Sequence, residues 1–280
     1  MSEKINQVEP NISEQDIQRV SDYMSSGAWI TEHALTKELE EKIAHFVGRK
    51  YAIAVPNGTI AIYLSLLAAG LTEGKRVAVP NITMIATINA ILWAGAEPVI
   101  IDLNERLCMS IKSLQTVDKL DGVIYVPLNG RTEDGLAIEE YCRERNITLI
   151  EDSAHALGSQ YQERMCGSLG SMSVFSFTPH KIITMGQGGL VLTDDDSLYE
   201  YLLDLKTFNR SKDKSDWHDG FGLNFKITDL QSALGLSQFE KINEFINIKK
   251  EMFQFFEKSI KKYNFIDFFE YETPWFVDLI

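Results

Sequence analysis

Residues 167–195, GSLGSMSVFSFTPHKIITMGQGGLVLTDD, decide the fold of this chain. They contain two continuous apolar runs, 172–177 and 189–193, joined by a more polar stretch that ends in the glycine-rich sequence GQGG. Continuous apolar runs of this length are typical of strands that are covered on both faces. The stretch therefore predicts two buried strands with a loop between them, and Lys181 lies in that loop.

Five further apolar runs precede this stretch, and they alternate with helical patterns. The predicted strands are 51–55, 76–79, 98–102, 122–126 and 147–151. The predicted helices are 60–69, 84–94 and 136–145, which are closed by Gly70, Gly95 and Asn146, residues that commonly end helices. Strands that alternate with helices over this length indicate an α/β fold with a mostly parallel, seven-stranded sheet flanked by helices.

The segments on either side of this core have helical patterns. Ser13 with Asp16 and Thr228 with Gln231 resemble capping boxes, which mark helix starts. The last residues, 275–280, have the pattern of a strand that begins a further domain. The predicted division is an N-terminal helical arm (1–48), a large α/β domain (49–240), and a connecting helix with the start of an incomplete small C-terminal domain (241–280).

Charge and cysteine usage limit the class of protein. The net charge of −13 argues against a nucleic-acid binder, because such proteins need a basic face. Three scattered cysteines, Cys108, Cys142 and Cys166, form neither a disulfide framework nor a metal-ligand spacing, which favours a reducing compartment. No stretch has the length and apolar character of a membrane span. We therefore expect a cytoplasmic, soluble protein that uses neither a membrane nor a metal.

Polar residues that follow three of the strands are candidates for chemistry, because ligands of open α/β sheets gather at the carboxyl ends of strands. Asn57-Gly58-Thr59 before a helix can cradle an anion, although a plain capped turn explains it equally well. Asp152 follows a buried strand and would need a cationic partner there, unless it caps a local turn. Lys181 has apolar neighbours that would lower its pKa and favour the neutral amine, but most lysines are simply solvated.

Together these features resemble a known family. The matching stretches are Asn57-Gly58-Thr59, VPNITMIATINAILWAGAEPV (79–99), IEDSAHALGS (150–159), GSLGSMSVFSFTPHKIITMGQGGLVLTDD (167–195) and WHDGFGLNFKITDLQSALGLSQ (217–238). In this order they are similar to the fold-type-I aminotransferases that depend on pyridoxal phosphate, and within them to the DegT/DnrJ/EryC1/StrS sugar aminotransferases. The similarity covers residues from about 8 to 245 and is closest to the perosamine-synthase-like branch, which makes 4-amino-4,6-dideoxy sugars.

The resemblance implies a role for each matching residue. Lys181 would hold the cofactor covalently as a Schiff base and move protons, and Asp152 would keep the pyridine nitrogen protonated so that the ring is an electron sink. Ala154 would pack behind the ring, and His155 would reach the phenolic oxygen. The phosphate would be bound by Gly58, Thr59 and Ser176 of this chain and by Asn224 of a second subunit.

This chain departs from the family pattern in two places. Met84 stands where relatives usually carry an aromatic residue, so a thioether contact would replace ring stacking. The chain also ends where the family's small C-terminal domain would continue, which puts activity in doubt. None of His33, His45, His180 and His218 has metal-ligand spacing, and His218 is the best candidate among them for contact with substrate.

The resemblance implies transamination of a nucleotide-linked 4-keto-6-deoxy sugar, with glutamate as amino donor and a homodimer with shared active sites as the working unit. One alternative is a sugar 3-dehydratase on the same scaffold, which is disfavoured because that branch replaces the Schiff-base lysine with histidine. Another is a catalytically silent or regulatory protein that binds the cofactor. The sequence leaves open which nucleotide and sugar are used, and whether C3 or C4 is aminated.

Overall fold

The structure is a computed structural model that describes residues 9–263. Its centre is a seven-stranded sheet. The strands are β1 Tyr51–Val55, β2 Arg76–Pro80, β3 Glu97–Ile101, β4 Gly122–Tyr125, β5 Thr148–Asp152, β8 Met172–Ser176 and β9 Gly189–Thr193, and a separate two-stranded hairpin is formed by β6 Gln160–Tyr161 and β7 Arg164–Met165.

The large sheet has the strand order β1-β9-β8-β5-β4-β2-β3. All neighbouring pairs are parallel except those of β9, which runs antiparallel to both β1 and β8. β9 is reversed because it follows β8 through a direct return loop, whereas parallel neighbours need a crossover connection. The prediction of an α/β protein with a mostly parallel, seven-stranded sheet is confirmed.

Helices cover both faces of the sheet. They are α1 Glu14–Ser25, α2 Ala34–Val47, α3 Gly58–Ala68, α4 Ile85–Trp93, α5 Ile111–Leu114, α6 Gly135–Arg145, α7 Asp196–Lys206, α8 Asp229–Glu240 and α9 Ile242–Ile260, with a short 3₁₀ turn at Leu128–Gly130. One core packs α3, α4 and α7 against alternate strand residues such as Val174 and Val191. The opposite strand residues pack against α2, α8 and α9 near β1 and against α6 near β4.

The N-terminal helices are fixed to the core by buried carboxylates. Asp229, in the first turn of α8, accepts the N–H groups of His33, Leu35 and Thr36 at 2.8–3.0 Å and the Thr36 hydroxyl at 2.6 Å. Asp16 of α1 accepts from Lys241 Nζ at 2.7 Å. Because these bonds join the arm to α8 and to the start of α9, residues 9–48 pack on the α/β core. The three-part domain division stays a prediction.

Several element bounds differ from the sequence predictions. Helix α3 begins at Gly58 instead of residue 60, because Asn57 is its N-cap. Asp152 is the last residue of β5 and does not follow the strand. Lys241 separates α8 from α9, and the β6–β7 hairpin was not predicted because two-residue strands have no periodic pattern. The strand predicted at 275–280 lies outside the described residues.

Candidate active site

Lys181 lies in the loop that leaves the carboxyl end of β8. The loop is closed by backbone hydrogen bonds, from Phe177 N–H to the Gly188 carbonyl (2.9 Å) and from Met185 N–H to the Phe177 carbonyl (3.0 Å). Within it, the Lys181 N–H donates to the Thr178 carbonyl (3.0 Å), which forms a turn. The Lys181 side chain thereby lines a cavity of about 480 Å³ together with residues at the carboxyl ends of β1, β5 and β8.

One wall of this cavity is the N-terminus of α3. Asn57 caps the helix, since its Oδ1 accepts the Ile60 N–H at 3.0 Å. Gly58 and Thr59 therefore belong to the first turn, whose N–H groups have no partners within the helix. These donors and the partial positive charge of the helix end favour an anion. Ser176, at the end of β8, lines the same cavity.

Two glycines allow the start of α3 to pack closely against β8 and β9. A Cβ on Gly189 would lie 2.5 Å from the carbonyl carbon and oxygen of Asn57, which is too close for any side chain. A Cβ on Gly58 would lie 3.0 Å from the Cβ of Ser176. The start of β9 is thus glycine because the capping turn before α3 rests on it. Gly189 therefore allows the anion cradle to pack against the start of β9.

Asp152 presents a buried carboxylate to the cavity. Its residue is only 4% exposed, and it accepts hydrogen bonds from the Thr87 hydroxyl (2.7 Å) and from the Ala154 N–H (3.3 Å). Burial raises the pKa of Asp152, an effect opposed by the Thr87 bond, the Ala154 bond and the charge of Lys181. These hydrogen bonds fix the orientation of the Asp152 carboxylate, but its negative charge is not fully compensated. A cationic group bound in the cavity would compensate it.

Lys181 has the electrostatic setting that its sequence neighbours predicted. Burial lowers the pKa of its amine from 10.5 to about 8, and the charge of Asp152 opposes that change. A substantial fraction of the amine is therefore neutral and nucleophilic near neutral or mildly basic pH.

His155 is held neutral beside the lysine. Burial, followed by the charges of Lys181 and His180, lowers the pKa of His155 to about 4. Its Nδ1 lies 3.0 Å from Oδ1 of Asn129. Because an amide oxygen only accepts, Nδ1 carries the proton and Nε2 is left as an acceptor. Asn129 thus fixes the tautomer.

The structure brings most of the predicted site residues to this one cavity. The residues Gly58, Thr59, Met84, Asp152, Ala154, His155, Ser176 and Lys181 all line it. Two contributors were missed: Thr87, which orients Asp152, and Asn129, which orients His155. Thr87 lies inside a predicted helix and had no distinguishing signal. Asn129 has a positive φ of 54°, which asparagine tolerates better than most residues, but the sequence does not reveal the backbone angle.

The structure does not bring Asn224 or His218 into this cavity. Asn224 is exposed and forms an isolated backbone bridge with Thr207. His218 is exposed, and its Nδ1 lies 2.8 Å from the Phe208 carbonyl. Both residues lie on the segment after α7, on the surface of the chain. Their roles toward phosphate and substrate stay predictions.

The cavity fits pyridoxal phosphate on three counts. An anion cradle without intervening side chains suits the phosphate, as the close approach of Gly58 to Ser176 shows. The under-compensated Asp152 suits a protonated pyridine nitrogen. Lys181, with its lowered pKa, suits attachment to the aldehyde. Among residues 9–263 no cluster of three or more metal-ligating side chains is present, and no helix there is long and apolar enough to cross a membrane.

This fold and site define a pyridoxal-phosphate-dependent aminotransferase. A family model described as the DegT/DnrJ/EryC1/StrS aminotransferase family matches residues 10–272. The chain belongs to this family. It is 36% identical over 256 residues to the GDP-perosamine synthase of Escherichia coli O157:H7, an alignment that covers 90% of this chain and 70% of that protein.

Solved structures agree with this assignment. The aminotransferase TlmJ from Streptoalloteichus hindustanus superimposes with a TM-score of 0.89 at 27% identity, covering 95% of this chain and 74% of that one. A sugar aminotransferase from Streptococcus pneumoniae in its PLP form superimposes with a TM-score of 0.86 at 25% identity, covering 97% and 75%. The predicted family and cofactor are confirmed.

Proposed function

We propose that the enzyme transfers an amino group from glutamate to the keto carbon of a nucleotide-linked 4-keto-6-deoxy sugar. The observation that carries this proposal is the position of Lys181, which lines the same cavity as the anion cradle and as Asp152. The similarity to a GDP-perosamine synthase supports a nucleotide sugar as the acceptor and C4 as the aminated carbon.

Each residue contributes a definite physical step. The α3 N-terminus and Ser176 would hold the phosphate and so restrict the orientation of the rest of the cofactor. Asp152, oriented by Thr87, would supply the negative charge that pairs with a protonated pyridine nitrogen. Bound there, the cofactor supplies an electron sink for the carbon that loses its proton. Lys181 accepts and returns that proton, because its neutral amine is available near pH 8.

The sugar 3-dehydratase is the second candidate. Lys181 argues against it, because the dehydratases of this scaffold carry histidine in place of that lysine. The dehydratase would release the C3 hydroxyl and return a ketone, whereas the aminotransferase retains that hydroxyl and adds an amine. A mass measurement of the product separates the two.

The test is an assay of the purified enzyme with pyridoxal phosphate, glutamate and a small panel of nucleotide 4-keto-6-deoxy sugars. We expect a product with one amino group in place of the keto oxygen, and formation of 2-oxoglutarate in equal amount. Lys181→Ala is the matched control. Binding of cofactor without turnover on any panel member would favour the silent alternative.

The working unit is proposed to be a homodimer in which Asn224 of one subunit reaches the phosphate bound by the other. Exposure of Asn224 on its own chain, together with the exposed side chains of Trp217 and Phe221 earlier in the same segment, supports this arrangement. Mixing inactive Lys181→Ala with inactive Asn224→Ala tests it, because a mixed dimer then contains one intact site. No recovery of activity despite subunit exchange would contradict the shared site.

All three cysteines are free and buried, which supports an origin in a reducing compartment such as the cytoplasm. Fractionation of the source cells would test that location. Recovery of the protein outside the cytoplasmic fraction would contradict it.

A further inference from the structure

Lys206 is a fully buried lysine that the proposed reaction does not use. It ends α7 and has no exposed surface. Its Nζ lies 2.7 Å from Oε2 of Glu32 and 3.7 Å from Oε1 of Glu40. Charge attraction to these two carboxylates therefore holds the ammonium in place. A buried ammonium is costly, which makes its location between two carboxylates a feature to explain.

The backbone around Lys206 holds the segment that contains Asn224. The carbonyl of Lys206 accepts the Phe225 N–H at 3.0 Å, and the carbonyl of Leu205 accepts the Leu223 N–H at 2.7 Å. The residues directly before and after Asn224 are therefore bonded to the last turn of α7. We call residues 223–227 the Asn224 segment.

The two carboxylates extend this support in opposite directions. Glu32 Oε2 also accepts the N–H of Ile227, the last residue of the Asn224 segment, at 3.4 Å. Glu40 Oε1 accepts the N–H of Ala54 on β1 at 2.6 Å. Strand β1 leads directly into the capping turn at Asn57 and the anion cradle of α3. Lys206 thus lies where the Asn224 segment, the N-terminal arm and the cradle-bearing strand meet.

We propose that Lys206 is a positioning residue. Its ion pairs with Glu32 and Glu40 hold the Asn224 segment against its own subunit, so that Asn224 can contact the phosphate of the cofactor bound by the neighbouring subunit. The inference rests on the proposed role of Asn224 in the shared site. A side chain offered across a two-fold interface is useful only if its own subunit holds it in one place. Lys206 provides that hold from within the core.

The experiment is a double-mutant cycle on cofactor affinity. The dissociation constant for pyridoxal phosphate is measured by titrating apoprotein and following tryptophan fluorescence, for wild type, Lys206→Met, Asn224→Ala and the double variant. We expect each single change to raise the dissociation constant about 10-fold, equivalent to about 1.4 kcal/mol. The double variant should stay within about 2-fold of Asn224→Ala alone, because Lys206 acts through Asn224.

Lys212→Met is the matched control. Lys212 lies on the segment that follows α7 and forms an exposed ion pair with Glu200. The control variant should leave the dissociation constant unchanged. If Lys206→Met does not fold, as judged by circular dichroism of the apoprotein, Glu32→Gln replaces it in the cycle. That variant removes the ion pair but keeps an oxygen that can accept the Ile227 N–H.

The outcomes separate the two proposals. Multiplied effects in the double variant, or an unchanged dissociation constant for folded Lys206→Met, would overturn the positioning role while leaving Asn224 in place. An unchanged constant for Asn224→Ala would refute the phosphate contact of Asn224 itself, and the positioning role with it. Rescue of Lys206→Met affinity to near wild type by Lys206→Arg would support the requirement for a buried cation at this point.

Discussion

The loop after β8 and the end of α7 each place a lysine inside the protein. The two lysines differ in their access to open space and in the carboxylates around them. Lys181 lines an open cavity, and its pKa is lowered to about 8 because burial outweighs the charge of Asp152. Lys206 is completely enclosed, with carboxylate oxygens at 2.7 and 3.7 Å from its Nζ. We infer from this comparison that burial alone does not make a lysine reactive. An open cavity in front of the amine favours a reactive role, as at Lys181. Enclosure with two carboxylates near the ammonium favours a structural role, as at Lys206.

The largest effect should come from removing the reactive lysine. Lys181→Ala should lower turnover by at least about 10³-fold, since the group that transfers the proton is lost. The measurement is product formation under saturating cofactor and substrate, with circular dichroism to verify the fold. Borohydride reduction of the wild-type protein with bound cofactor should label the Lys181 peptide and leave the Lys206 peptide unlabelled. A label on Lys206 would contradict the assignment of a purely structural role to that lysine.

Asp152→Asn should be nearly as damaging to activity, with a loss of about 10²–10³-fold in kcat. The amide cannot supply negative charge to the pyridine nitrogen. Stability should be retained, because the amide oxygen can still accept the Thr87 hydroxyl hydrogen bond. Denaturant unfolding of the apoprotein and steady-state kinetics measure the two quantities separately. Near-normal turnover would show that Asp152 does not have the proposed electrostatic role.

Methionine substitutions should separate the two lysines by stability. Lys206→Met should reduce the free energy of unfolding by about 3–5 kcal/mol, because it leaves two partly buried carboxylates without their cation. Lys181→Met should stabilise the apoprotein at pH 7, by roughly 1–3 kcal/mol after allowing for its partial exposure, because it removes an ammonium whose pKa falls from 10.5 to about 8 on folding.

The stability difference at Lys181 has a definite pH window. Below pH 8 the lysine is protonated in both states, so the folded protein bears the full cost of the buried charge. Between about 8 and 10.5 the folded protein loses its proton first, so wild-type stability rises with pH. The advantage of Lys181→Met should therefore vanish by pH 10.5. Urea unfolding at a series of pH values checks this, and a constant advantage would contradict the lowered pKa.

The sequence predicted the reactive region far better than the supporting one. Continuous apolar runs identified all seven strands of the sheet, because strands buried on both faces need apolar residues at nearly every position. The edge strand β3 is apolar from Pro98 to Ile101 although it is only partly buried. Strand ends then located Asp152 and Lys181, and the family resemblance added Ser176. The first turn of α3 was missed because Gly58 and Thr59 are poor helix formers, and the cap at Asn57 decides where the helix starts.

The ion-pair centre at Lys206 could not be found from the sequence. Its partners Glu32 and Glu40 lie in the N-terminal arm, far along the chain, and only the tertiary packing of α2 and α7 against β1 brings them together. The same reason hides Thr87 behind Asp152. Local patterns show which residues are buried or exposed, but they do not show which distant polar groups meet.

The smallest expected effect is a shift in the reactivity of Lys181 itself. In the apoprotein, its rate of modification by an amine reagent should rise with pH and level off above about 8. Asp152→Asn should move that midpoint to lower pH, because the negative charge that favours the ammonium is removed while burial is unchanged. Peptide mass spectrometry after short exposure at a series of pH values measures the rate at each lysine separately. Exposed Lys212, whose pKa is raised by its contact with Glu200, provides the reference for a lysine outside the cavity. Lys206 should resist the reagent at every pH at which the protein is folded. A midpoint that moves upward in Asp152→Asn, or that coincides with that of Lys212, would mean that cavity burial does not set the chemistry of Lys181.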